Sequence, residues 1–138
     1  MNVLEVPFVK LVGIVKNGEG QLQLSYGVDV HNHLQTMHAS AQFALAETAS
    51  GELLQTLYPE LAGKVIPVLR DADVKFKKPA LQTIIAYPSI SDDAREKFER
   101  QFESKGRASL TVTVEVKDTA GTITCVANYN WFIQRLEN

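Results

Sequence analysis

The segment from about Ala39 to Leu57 constrains the fold most, because nearly all of its residues favour a helix and most are small or apolar. Alanine and leucine lie almost all round the predicted helix, and such a helix is buried on most of its surface. Tyr58-Pro59 ends it, since the residue before a proline avoids the α region. The many alanine side chains allow a sheet to approach closely. We therefore predict a central helix covered by a β-sheet.

Alternating apolar and polar residues predict strands on both sides of this helix. The predicted strands cover residues 8–16, 21–30, 65–78, 81–87, 109–116 and 122–133. Turns are expected at 17–20 and 118–121, and Ser91 is the expected N-cap of a second, short helix over 92–105. Six strands and one long apolar helix indicate an α+β domain over residues 1–138, in which an antiparallel sheet curls around the helix. The free edges of such a sheet favour a homodimer or homotetramer.

Composition narrows the possible functions. The 138 residues suit one domain with a full core, and the net charge of −2 provides no basic surface for nucleic acid. No apolar run reaches the ~18 residues of a membrane span, and the N-terminus lacks the blocks of a signal peptide, so we expect a cytoplasmic protein without a membrane partner. Cys125 is the only cysteine, and no zinc or phosphate-loop pattern is present, so no metal site is predicted.

Glu47 is the most informative polar residue, since it stands in the middle of the apolar helix. An unpaired buried carboxylate is costly, so the group must protonate, find donors or face a cleft. Helical phase places Ser40, Phe43 and Ser50 on its side, where a ligand could lie along a face of mostly small residues. The alternative is a glutamate that points to solvent or to a structural partner at a dimer interface. We predict that Glu47 is functional and that the other three contact ligand.

The spacing of a known enzyme class is found in Asn32, Thr36, His38, Ala39 and Glu47. The chain resembles hotdog-fold acyl-CoA thioesterases, of the class that includes the phenylacetate-pathway enzymes. That class has an Asn, then a Thr or similar residue, then a His-Gly-Gly at the helix start and an acid nine residues after the His. The residues in question are here Asn32, Thr36, His38, Ala39 and Glu47. The KFKKPA segment at 75–80 also resembles the strand-ending aromatic-x-x-Pro-Ala segment, so the match covers about residues 31–80.

The resemblance implies a hotdog-fold hydrolase of acyl thioesters that needs no cofactor, with the coenzyme A moiety entering as part of the substrate. Glu47 would be the general base, the N–H of Ala39 would polarise the carbonyl, and Asn32 would position water unless it only braces its loop. Nine residues place His38 on the opposite helical face from Glu47, so we expect His38 chiefly to orient the loop. The resemblance implies two equivalent sites, each built from both chains of a dimer.

Three lysines and two differences from the sequence pattern of the thioesterase class complete the prediction. Lys75, Lys77 and Lys78 could meet the phosphates of coenzyme A, although alternating lysines are more often a solvated strand face. Ser40 replaces the second Gly of His-Gly-Gly and narrows the approach of the acyl or pantetheine chain. Leu69 stands where some members of the class use a Ser or Thr to hold the attacking water.

Two other functions remain open. His33 and Glu47 have the fourteen-residue spacing of hotdog hydroxyacyl dehydratases, but the Phe-Pro-Gly and Pro-Gly of that signature are absent. The second alternative is a hotdog protein that binds acyl ligands, or only dimerises, without turnover.

Overall fold

A computed structural model describes residues 1–137, in which a six-stranded antiparallel sheet wraps around one long helix. The strands are β1 (Val15–Lys16), β2 (Leu22–Leu24), β3 (Val65–Phe76), β4 (Ile84–Ser89), β5 (Arg107–Asp118) and β6 (Ile123–Arg135). The α-helices are α1 (Pro7–Val12), α2 (Ala39–Leu57) and α3 (Asp92–Lys105), and 3₁₀ turns cover Val3–Glu5, Val28–Val30 and Pro59–Leu61. The predicted α+β architecture is confirmed. The predicted domain, residues 1–138, extends to Asn138, which lies outside the described residues.

The sheet runs in the order β1-β2-β4-β5-β6-β3, and every neighbouring pair is antiparallel. Strands β1 and β3 are therefore its edges. The concave face packs on α2 and holds the core, with Val112, Val114, Ala127 and Tyr129 fully buried. No helix in residues 1–137 is long and apolar enough to cross a membrane.

The central helix has the predicted bounds. His38 caps its N-terminus, because Nδ1 of His38 accepts a hydrogen bond of 2.9 Å from the N–H of Ser40. The buried residues of α2 include Ala44, Ala46 and Ala49, so the sheet meets short side chains there, as the sequence indicated.

The prediction of a strand over 8–16 is wrong. Pro7 begins a helix instead, since its fixed φ suits the first helical turn, and Gly13 ends that helix with a φ of 95°. Only Val15 and Lys16 pair with β2. Two other strands are displaced: 21–30 shortens to Leu22–Leu24, because the chain turns into a 3₁₀ segment at Val28, and 81–87 becomes Ile84–Ser89.

Strand β3 is correctly predicted in extent but not in phase. Directly opposed residues of antiparallel strands share a face, and Leu69 lies opposite Trp131, on the side of α2, while Val68 lies opposite Phe132. A bulge between Leu69 and Asp71 accounts for the change. Val68 is therefore on the outer face, whereas the alternation in the sequence predicts that it shares a face with Ala72 and Val74, which lie on the side of α2.

Candidate active site

Two clefts open on the surface of α2, and Glu47 lines both of them. The first, called here the apolar cavity, has a volume of about 490 Å³ and follows the C-terminal half of α2. The N-terminal segment, the 58–63 connection and strands β3 and β6 form its other walls. The second, called the helix-start cleft, has a volume of about 470 Å³. It is lined by Phe8, Ala39, Ser40, Phe43, Ala44, Glu47 and Phe76.

The Glu47 side chain is half-buried, and burial raises the pKa of its carboxyl group above the ordinary value. Within residues 1–137 this carboxylate makes neither an ion pair nor a hydrogen bond. A carboxylate without a compensating donor is basic for its type, and it lies beside open space. Such a group can take a proton from water.

Two hydrogen bonds from β6 hold α2 on either side of Glu47. The hydroxyl of Tyr129 donates to the carbonyl oxygen of Phe43 at 2.9 Å, one turn before Glu47. The indole N–H of Trp131 donates to the Ser50 hydroxyl at 2.9 Å, and this hydroxyl donates to the Glu47 carbonyl oxygen at 2.7 Å. Burial raises the pKa of Tyr129, so its hydroxyl stays a donor. The position of Glu47 is thus fixed by the sheet.

Ser50 does not reach a cleft surface, although helical phase placed it beside Glu47. Its side chain is fully buried, and its hydroxyl is hydrogen-bonded to Trp131 and to the helix backbone. Ser40 and Phe43 do line the helix-start cleft.

Replacing Ser50 with Ala is expected to lower the free energy of unfolding by about 1–3 kcal/mol, because the buried Trp131 N–H loses its partner. Urea unfolding measures this change. Ser40→Ala is the control, since Ser40 is exposed and its substitution is expected to cost within ~0.5 kcal/mol. Weaker ligand binding by Ser50→Ala without lower stability would restore Ser50 as a ligand contact.

The loop before α2 is braced by Asn32. Its Oδ1 accepts from the N–H groups of Leu34 and Thr36 at 2.9 and 3.0 Å, and its Nδ2 donates to the Thr36 hydroxyl at 2.7 Å. This is the Asx-turn arrangement that stood as the alternative to water positioning. One N–H of the Asn32 amide remains for another acceptor.

The end of β3 holds the start of α2 in place. Ala80 follows the KFKKP segment and is fully buried, and its carbonyl oxygen accepts a hydrogen bond of 2.8 Å from Met37 N–H. Met37 is also buried, directly before the helix cap. The aromatic-x-x-Pro-Ala segment thus has a structural task, and it brings Phe76 to the helix-start cleft.

The N–H of Ala39 is available, whereas His38 is engaged as the cap. Among residues 1–137 the Ala39 N–H has no hydrogen-bond partner, as expected in the first turn of a helix. Ala39 and Glu47 are eight residues apart, or about 12 Å along the helix axis. Both line the helix-start cleft, but one thioester carbonyl cannot meet both groups of the same chain.

The three lysines lie outside the clefts. Lys75, Lys77 and Lys78 are exposed and line neither cleft. Lys75 lies opposite Val126, on the outer face of the sheet. Lys77 and Lys78 follow the strand, and their backbone N–H groups donate to the carbonyl oxygen of Thr124.

Sequence reasoning missed the contribution of the N-terminal segment. Phe8 and Val9 reach opposite clefts from α1 because a helix, not a strand, crosses α2 near Glu47. Pro7 and Gly13 were the signals for this helix. Trp131 was also missed as a cavity residue, and its contact with Gly51, 80 positions earlier in the chain, has no local signature.

Comparison with known proteins begins with the sequence. The family described as "domain of unknown function (DUF4442)" matches residues 4–133. No curated protein matches the chain.

Solved structures resemble the chain over nearly its whole length. A Pseudomonas aeruginosa protein, described as of unknown function and a probable thioesterase, has a TM-score of 0.82 at 19% identity, covering 97% of this chain and 91% of its own. A Bacillus halodurans protein solved with CoA has a TM-score of 0.71 at 21% identity, with coverages of 91% and 74%. A thioesterase from Haemophilus influenzae has a TM-score of 0.73 at 15% identity, with coverages of 99% and 88%. The hotdog fold predicted from the resemblance is confirmed.

Proposed function

This chain belongs to the family described as domain of unknown function DUF4442, and we propose that it hydrolyses acyl thioesters, with acyl-CoA as the substrate class. The observation that carries the proposal is the Glu47 carboxylate, half-buried, unpaired and lining both clefts. The names of two neighbours, a thioesterase and a probable thioesterase, support the reaction class. A third neighbour, solved with CoA, supports the substrate class.

In the proposed reaction Glu47 takes a proton from water as the water oxygen attacks the thioester carbonyl carbon. The carbonyl oxygen becomes negatively charged and accepts a hydrogen bond from the N–H of Ala39, whose position at the helix start adds the favourable dipole. When the intermediate collapses, the C–S bond breaks and the acyl group leaves as a carboxylic acid. The leaving thiolate takes up the proton that Glu47 had accepted, which restores the Glu47 carboxylate. The spare N–H of Asn32 would orient the water, and His38 would hold the helix start through its cap.

Each active site would require two chains. A carbonyl group has its carbon and oxygen about 1.2 Å apart, while Glu47 and Ala39 of one chain are about 12 Å apart along α2. The base and the oxyanion donor of a single site must therefore come from different subunits. We propose a homodimer in which Glu47 of one protomer faces Ala39 of the partner subunit.

The exposed edge of β3 supports this dimer. Strand β3 pairs only with β6 over its twelve residues, which leaves its other edge unpaired within residues 1–137. On the outer face of this strand, Ile66 and Val68 are 52% and 47% exposed. A long apolar edge strand favours pairing with another chain. Two such dimers could associate further as a tetramer.

The coenzyme A moiety would extend from the thioester along the helix-start cleft. The floor of this cleft consists of small side chains, those of Ala39, Ser40 and Ala44. Lys77 and Lys78 follow Phe76 at the edge of this cleft. Neither lysine lines the cleft itself, but both could contact the phosphates of coenzyme A. Lys75 is less suited, since it lies on the outer face of the sheet.

The proposal is tested by incubating the protein with acyl-CoAs that carry short, long and aryl acyl groups, and by measuring released thiol. Release with at least one substrate is expected, with Glu47→Gln as the inactive control. If no substrate releases thiol, hydrolysis is refuted and an acyl-binding protein without turnover is left.

Replacement of His33 by Ala separates hydrolysis from dehydration. His33 is exposed and lines neither cleft, so His33→Ala is expected to retain the thioesterase activity within about threefold, since no proton transfer in the proposed reaction uses it. A 3-hydroxyacyl-CoA should gain no conjugated-alkene absorbance with either protein. Loss of nearly all activity in His33→Ala, with fold and oligomeric state intact, would instead support the dehydratase geometry.

A further inference from the structure

The apolar cavity differs from the helix-start cleft in a way that concerns the acyl group. Among the cavity-lining side chains of residues 1–137, Glu47 is the only charged one. It is also the first residue of α2 that lines the cavity. From there the cavity continues past Gly51 and Leu54 to Tyr58. A thioester held at Glu47 thus has an apolar space extending from it in one direction along α2.

We propose that this cavity binds an unbranched aliphatic acyl chain of medium to long length, about 12 carbons, rather than a short or aryl group. The inference rests on the proposed thioesterase function. It names the acyl group that the same site accepts.

The length of the cavity carries the estimate. Tyr58, the C-cap of α2, lies eleven residues after Glu47, or roughly 17 Å along the helix axis. An extended hydrocarbon chain advances roughly 1.25 Å per carbon with ordinary bond lengths and angles, so about 12 to 14 carbons span this distance. Pro59 and Leu61, in the 3₁₀ turn that follows α2, line this end of the cavity.

The volume agrees with the length. The cavity holds about 490 Å³, and a methylene group takes roughly 30 Å³, close to the share of a water molecule in the liquid. A 12-carbon chain would therefore fill most of it. An aryl group would leave the larger part empty, and its walls would lose the contacts that a close-packed chain supplies.

The N-terminal segment supplies the wall that makes the space a cavity. Val3 and Val9 are buried, and Val6 packs partly buried beside them. All three line the cavity opposite α2. Aliphatic side chains on this wall suit a hydrocarbon chain and offer no polar group to an aryl hydroxyl.

Gly51 sets the width of the cavity near Glu47. A Cβ atom at Gly51 would lie 3.5 Å from Cζ2 of Trp131, which is ordinary van der Waals contact, so a methyl group fits there without displacing the sheet. A larger side chain would extend into the cavity about 6 Å along the helix from Glu47. Gln55 lies about 12 Å from Glu47 on the same wall and is exposed.

The test uses Gly51→Leu and Gln55→Phe as obstacles at two depths, with Gly27→Leu as the matched control. Gly27 has an extended backbone and open space around its Cβ position. The kcat/KM of each variant is measured with butanoyl-, octanoyl-, dodecanoyl-, hexadecanoyl- and benzoyl-CoA. The parent and Gly27→Leu are expected to prefer dodecanoyl-CoA.

Gly51→Leu is expected to lose about tenfold or more with dodecanoyl-CoA and to stay within about threefold with butanoyl-CoA, as steric exclusion from an apolar pocket predicts. Gln55→Phe changes an exposed residue and leaves the helix core unchanged. It should spare octanoyl-CoA and penalise dodecanoyl-CoA, whose chain extends past this position. A parent preference for butanoyl- or benzoyl-CoA, or equal losses at all lengths, overturns the chain-length inference while hydrolysis stands.

Calorimetry distinguishes a failure of the inference from a failure of the proposed function. If the parent hydrolyses no thioester, the function is refuted, and dodecanoyl-CoA binding is measured instead. Binding by the parent and Gly27→Leu that is weakened about tenfold in Gly51→Leu supports the cavity as a chain site. Absence of binding, or equal binding by all three proteins, overturns it.

Discussion

Replacing Glu47 with Gln is expected to lower kcat for acyl-CoA hydrolysis by about 100-fold or more, as loss of a general base usually does. The amide keeps the size of the side chain but cannot take a proton from water. Steady-state thiol release measures the effect, with size-exclusion chromatography showing that the oligomeric state is unchanged.

Glu52→Gln is the matched control on the same helix. Glu52 forms an ion pair of 2.9 Å with Lys16 and lines neither cleft. Its replacement should leave kcat unchanged and lower the free energy of unfolding by no more than about 1 kcal/mol. Equal activities of Glu47→Gln and the parent would remove Glu47 from the mechanism.

The same variant reports on the ionisation of Glu47 independently of activity. Burial raises the folded-state pKa of Glu47 above its unfolded value, so the folded protein binds the proton more tightly. Burial of the ionised carboxylate destabilises the fold. This destabilisation is absent below the unfolded-state pKa of about 4.3, and it grows as pH rises through the folded-state pKa. Glu47→Gln should therefore be more stable than the parent at neutral pH. This difference in the free energy of unfolding should shrink as the pH is lowered to about 4. In the parent, kcat should fall on acidification at a higher pH than an ordinary glutamate would give.

Replacing Ala39 with Pro is expected to lower kcat by about 100- to 1,000-fold, the usual effect of removing one oxyanion donor. Proline lacks the N–H, yet it is favoured at the first position of a helix, which Ala39 occupies. His38 before it already has the extended backbone that a following proline requires, with φ −61° and ψ 139°. The circular dichroism spectrum and melting temperature should therefore match those of the parent.

Mixed dimers show whether the two groups act across subunits. In a two-fold dimer with split sites, a hybrid of one Glu47→Gln chain and one Ala39→Pro chain has one site with both defects and one intact site. Random reassociation of equal amounts should recover about a quarter of the parent activity. Ala39→Ser, which keeps the N–H, is the control and should be active without mixing. No recovery in hybrids that demonstrably form would contradict the split site.

The local part of the fold was readable from the sequence. The bounds of α2, the Ser91 cap of α3 and the long hairpin of β5 and β6 follow from helix propensity, capping and strict alternation over many residues. The structure of the N-terminal segment was not readable from the sequence, because the apolar residues at 8–16 fit a strand as well as a helical turn. There Pro7 and the positive φ of Gly13 decided for a helix.

For the site, the sequence by itself determined that a carboxylate stands in the middle of an apolar helix and that a polar loop containing Asn32 and His38 precedes this helix. Only the tertiary structure decided which neighbours open onto that carboxylate. The Ser50 hydroxyl is hydrogen-bonded to Trp131, whereas Gly51 lies beside the Trp131 ring and lines the cavity, because packing against β6 selects the contact of each helix position. The bulge in β3 likewise depends on pairing with β6. Such long-range contacts leave no periodic signal in the chain, since they join residues whose spacing is set by topology rather than by helix or strand geometry.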